Sequence, residues 1–132
     1  MLRLGLLIAL MLMLSSTSVL GQSATRLTPL VVDGERYFKL QWEAADHNGR
    51  PEVRGSILND YGFPAQKIRL LVESLDAAGG VTAQTIGYVG GELTAGKRAY
   101  FEVPVPVRAP SHRVLIFQYE WLQMGGGDST RR

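Results

Sequence analysis

The chain has no cysteine among its 132 residues. That excludes a disulfide framework, a thiolate metal site and a lipoprotein attachment point together. Histidine is scarce as well: His47 and His112 are the only two, so a three-histidine metal centre cannot be assembled. Neither charge is in excess, with 14 Lys and Arg against 12 Asp and Glu. A near-neutral surface gives no electrostatic reason to expect nucleic acid, and the terminal Arg131-Arg132 is the one basic cluster. No Asn-x-Ser/Thr acceptor occurs, and beyond the first two dozen residues no apolar pattern repeats every 3.6 residues.

What is present begins with a secretory signal at Met1–Gly21. Arg3 supplies the positive start, Leu4 to Leu14 is an apolar run broken by one glycine, and Ser15-Ser-Thr-Ser18 leads to the small-residue end Val19-Leu-Gly21. Cleavage is expected after Gly21, with Ala24 as the second choice. The alternative is an uncleaved membrane anchor, which the four hydroxyl residues and the short apolar core disfavour. Export without disulfides fits a bacterial envelope, periplasmic or extracellular. The mature chain keeps 13 basic and 12 acidic residues, about +1, and its 111 residues are enough for one domain with its own core. Residues 22–35 form a lead-in, 36–123 the domain, and 124–132 a glycine-rich tail with nothing apolar to bury.

Within the domain the period is two. Phe38, Leu40, Trp42 and Ala44 alternate with polar residues, and Asp46-His-Asn-Gly-Arg-Pro51 reads as a turn before a strand over 52–59. Residues 66–76 place Ile68, Leu70 and Val72 on one face and add Leu71 and Leu75 on the other, so this strand should be central. Ala77-Ala-Gly-Gly80 turns into a strand over 81–89 that Gly90-Gly91 should end. Residues 98–105 alternate again, and Pro104, Pro106 and Pro110 confine that strand to an edge. The last strand, 112–123, should present Leu115, Phe117, Tyr119 and Trp121 as one stripe. Six or seven strands with regular turn signals imply an all-β antiparallel sandwich.

Three stretches carry a family resemblance. Val53-Arg-Gly-Ser-Ile-Leu-Asn59 is similar to a Gly-x-Val-x-Asn strand, Asp76-Ala-Ala-Gly79 to an Asp-x-x-Gly turn, and Leu93-Thr-Ala-Gly96 with Phe101-Glu-Val103 to a Leu-x-Pro-Gly turn and its following strand. Together they resemble the FxLYD domain, a bacterial and archaeal envelope module. At the eponymous positions this chain has Val72, Ser74 and Leu75, and Ala95 stands where proline is usual. The resemblance implies an immunoglobulin-like sandwich and no catalytic residues. The residues explain their own turn roles: Asn59 and Asp76 can each bond the backbone two residues on.

Catalytic patterns are weak. Gly91-Glu-Leu-Thr-Ala-Gly96-Lys97 fits Gly-x4-Gly-Lys, but Arg98 replaces the Ser or Thr that would ligate magnesium, and a strand pattern follows where a helix is needed. Asp46-x-Asn48-Gly49 resembles the start of a calcium loop and lacks the closing glutamate. Ser56, Ser74 and Ser111 have no nucleophile-elbow context, and Glu43, Glu52, Glu73 and Glu102 are spread along strands instead of converging on a cleft. The expectation is a protein that is not an enzyme, with no cofactor, metal, nucleotide or nucleic acid, no stable membrane span after cleavage, and an unidentified envelope protein as partner. Tyr61 and Phe63, in a loop with little core to join, and Trp121 on the last strand are the candidate binding surface; residues 57–64 and a sheet edge are where it should lie. A carbohydrate-binding module is the alternative, and it requires at least two coplanar, exposed rings among Tyr61, Phe63, Trp42 and Trp121.

Overall fold

The computed structural model describes residues 25–122; the expected signal segment and the glycine-rich tail lie outside the described residues. A short helix α1 (Gly34–Tyr37) precedes six strands: β1 (Phe38–His47), β2 (Arg50–Asn59), β3 (Ala65–Leu75), β4 (Val81–Leu93), β5 (Arg98–Pro104) and β6 (Ser111–Trp121). They form two antiparallel three-stranded sheets, ordered β1-β2-β5 and β4-β3-β6. The fold is therefore an all-β sandwich. β3 is central and β5 is an edge strand, as its apolar content and the prolines respectively require.

Local chemistry sets the connections. The β1–β2 turn is tighter than the sequence pattern suggests: Asn48 (φ 52°) and Gly49 (φ 78°) alone close a two-residue hairpin. Positive φ at both positions gives the turn whose twist matches the strands, and Asn-Gly is the pair that tolerates it. At the β3–β4 turn Asp76 Oδ1 accepts from the Ala78 and Gly80 backbone N–H groups at 2.9 and 2.7 Å.

The core lies between the sheets. Phe38, Val53, Ile57, Phe101 and Val103 from one sheet meet Ile68, Leu70, Val72, Val89, Val114 and Ile116 from the other. Gly87 on β4 allows closure along the β4–β5 side, since a Cβ there would stand 2.4 Å from Val103 Cγ2.

Two strands depart from simple alternation. β4 does not end at Gly90-Gly91; it continues to Leu93 through an irregularity in which the β3–β4 ladder passes from Gln66↔Glu92 to Ile68↔Val89. Lys67 sits in that gap in the left-handed region (φ 51°), with Gly91 opposite at φ 75°. Against β6, β3 places Lys67 and Ile68 where β6 has Tyr119 alone, between Gln66↔Glu120 and Arg69↔Gln118, and this extra residue lets Ala65 and Ile68, three apart, both face the core. On β6 a second irregularity falls between Arg69↔Gln118 and Leu70↔Ile116. The expected stripe of Leu115, Phe117, Tyr119 and Trp121 is thereby broken: Val114 and Ile116 join the core, Tyr119 and Trp121 pack against it, and Phe117 lies on the other face beneath Arg69.

The lead-in is structured from residue 25. Residues 25–30 form a strap over the β4-β3-β6 sheet, and Val31 then packs against the inter-sheet core. Leu27 exchanges two backbone hydrogen bonds with the Gln84 side chain on β4, at 2.8 and 2.9 Å. Arg26 reaches Glu73 on β3 at 3.7 Å, and the Leu30 N–H donates to the Phe117 carbonyl on β6 at 2.9 Å. Leu71, which points away from the core between Leu70 and Val72, is 0% exposed on this strapped face.

Candidate functional site

One end of the sandwich collects aromatic rings from three places: the start of β1, the β2–β3 loop and the end of β6. The loop is fixed by Asn59, itself fully buried. Its Nδ2 donates to the carbonyls of Phe63 (2.8 Å) and Leu93 (3.0 Å), and its Oδ1 accepts from the Tyr61 N–H at 3.1 Å. Backbone bonds from Asp60 to Tyr37 and from Leu122 to Pro64, both 2.8 Å, tie the loop to β1 and to the chain leaving β6. Five bonds in all hold a five-residue loop, so its side chains are presented by a rigid support.

On that support Tyr61 lies 4.8 Å from both Tyr37 and Trp121, ring centre to ring centre, and 5.7 Å from Phe63. Trp121 stacks on Phe38 at 5.4 Å with planes 11° apart, and touches Tyr119 edge-on at 4.9 Å. The cluster grades from core to solvent: Phe38 is buried, Trp121 half-buried, Tyr61 41% and Phe63 47% exposed. Burial among these rings pushes the Tyr119 hydroxyl above its ordinary range. The three candidate residues thus come together in space. Tyr37, which precedes Phe38 in the alternation, joins them: the β1–β2 register sets it beside Tyr61, and the return of β6 adds Tyr119 and Trp121.

Trp42 stands apart. It is 39% exposed at the β1–β6 side and its indole N–H donates to the His112 carbonyl at 3.0 Å. That bond, with Leu30 on Phe117, occupies two carbonyls along the free edge of β6. Gly91–Lys97 spans the end of β4 and the turn into β5, where Lys97 N–H closes onto the Thr94 carbonyl, and no helix follows. Asp46 pairs with Arg108. Among the described residues no group of three or more His, Asp or Glu is placed to hold a metal ion, and no helix is long and apolar enough to cross a membrane.

No family model matches the chain, and neither a curated protein nor a solved structure does.

Proposed function

We propose that this protein is a non-enzymatic, exported sandwich of the FxLYD type that acts by protein–protein contact in the cell envelope, through Tyr61 and Phe63. The carrying observation is that these two exposed rings sit on a loop pinned by buried Asn59 and backed by half-buried Trp121. A preformed aromatic patch binds without the ordering cost that a mobile loop incurs, and aromatic anchors dominate protein interfaces. The planes meet at 42° (Tyr61–Trp121) and 54° (Tyr61–Phe63), which makes a notch for a protruding apolar side chain and not the flat platform a sugar ring stacks on.

The immunoglobulin-like type is supported by strand order. β1-β2-β5 facing β4-β3-β6 corresponds to strands A-B-E and C′-C-F of that architecture, with no counterpart of the last strand among the described residues. A photoreactive benzoyl-phenylalanine in place of Phe63, in the chain starting at Gln22 and mixed with envelope fraction, tests the reading. Discrete protein adducts are expected, absent when the same probe replaces Tyr100 and reduced by Tyr61→Ala. Equal labelling from both positions, or none from position 63, overturns it.

A further inference from the structure

The outer face of the β4-β3-β6 sheet is read in four rows by the strand register: Gln84–Glu73–Arg113, Ile86–Leu71–Leu115, Tyr88–Arg69–Gln118 and Glu92–Gln66–Glu120. The strap bonds to the first row, through Leu27 on Gln84 and Arg26 on Glu73, and to the Phe117 carbonyl on β6. The last two are left as an open groove of about 810 Å³, lined also by Lys67, Gly90 and Gly91. We propose that this groove binds an uncharged glycan.

Four features converge on that ligand class. First, Tyr88 is 72% exposed at the groove and appears in no aromatic pair, so a ring is available to a sugar face. Second, the charges in the groove are balanced, with Lys67 and Arg69 against Glu92 and Glu120. A phosphate or polyanion would need a cationic excess, and none is there. Alternating donors and acceptors suit hydroxyls, which are both. Third, the polar groups are held in place. Glu120 Oε2 lies 3.5 Å from Lys67 Nζ and 3.4 Å from Gln66 Nε2, and the Arg69 guanidinium rests 5.2 Å from the Phe117 ring centre. Fourth, the groove is built around the irregularity itself. Lys67 keeps a left-handed backbone that costs a non-glycine residue energy, and Gly90-Gly91 put no side chains on the floor opposite it. Strain of this kind in a central strand, beside an open groove, is what a site retained for binding leaves behind.

The site is separate from the aromatic end, so its failure and that of the protein-contact reading are distinguishable. The test is retention of the chain starting at Gln22 on immobilised β-1,4-linked glucose and N-acetylglucosamine oligomers, dextran and galactan, followed by titration with the retained oligomer. Tyr88→Ala should weaken binding about tenfold or more while leaving thermal unfolding and the Phe63 cross-link unchanged. Tyr88→Phe, which keeps the ring face, and Tyr100→Ala, an equally exposed tyrosine on the other sheet, should bind as the unaltered chain does. No retention on any of these glycans at millimolar concentration overturns the proposal. So does loss on Tyr100→Ala or Phe63→Ala in place of Tyr88→Ala.

Discussion

Three polar side chains, Glu73 and Asn59 buried and His112 partly buried, show how single residues tie this sandwich together. Glu73 is 3% exposed at its side chain and lies under the strap. Burial alone would raise its carboxyl, but hydrogen bonds from Arg113 and Gln84 and the charges of Arg113 and Arg26 outweigh burial and hold it below the ordinary value of 4.5. His112 is the opposite case: burial lowers it from 6.5, and its Nε2 has no partner among the described residues. Both shifts mean that the unfolded chain binds protons first, so each lowers stability as pH falls, in separate windows. The urea midpoint should decline first as pH drops below about 6.5, and again below about 4.5 as Glu73 approaches its depressed folded value. His112→Gln should remove the upper decline and Glu73→Gln the lower; unchanged profiles would show that neither group governs acid sensitivity. Asn59 is the third. Asn59→Ala leaves the Phe63 and Leu93 carbonyls and the Tyr61 N–H without their partner, and denaturant titration should show a loss of about 2–4 kcal/mol.

At the scale of elements, the two irregularities decide which faces are buried. Lys67→Gly relieves the left-handed backbone at the β3 irregularity and should raise unfolding free energy by about 1 kcal/mol, an unusual outcome for glycine inside a strand. A loss of similar size would show that the lysine side chain, through Glu120, matters more than the backbone. The same irregularities explain what could be read in advance. β2 and β5 were legible because Val53, Ile57, Phe101 and Val103 keep strict alternation, and the Asn-Gly and Asp-x-x-Gly turns announce themselves chemically; on β1 the alternation buries Phe38 and part of Leu40 but leaves Trp42 and Ala44 exposed. β6 was misread because Leu115 to Trp121 alternates in sequence as if unbroken, while the pairing inserts a step at Phe117 that only β3 reveals. Gly90-Gly91 is equally ambiguous: the same dipeptide ends a strand or relaxes it. At the candidate site Tyr61, Phe63 and Trp121 were legible as aromatics lacking a core assignment. Tyr37 was not, because its partners, Tyr61 in the β2–β3 loop and Tyr119 and Trp121 on β6, are brought together only by the strand pairing.

For the whole molecule the strap is the element with most at stake, since it covers part of a sheet face that the inter-sheet core does not reach. Leu71 belongs to a second, smaller apolar layer outside the sandwich core, with Ile86 and Leu115 beside it in register. Both expected cleavage positions, after Gly21 and after Ala24, leave Arg26, Leu27 and Leu30 in the mature chain, so maturation would keep this layer covered. A chain starting at Leu30 loses the Arg26–Glu73 pair and the two Leu27–Gln84 bonds and uncovers Leu71. The inter-sheet core contains none of these residues, so the truncated chain should still fold. Re-exposing one leucine and loosening one buried carboxylate should cost about 2–4 kcal/mol. Binding of a fluorescent apolar dye should rise, and Phe63 should still cross-link as before. Unfolding of the truncated chain would show instead that the strap is part of the cooperative fold, and that the sandwich needs its outer layer as much as its inner one.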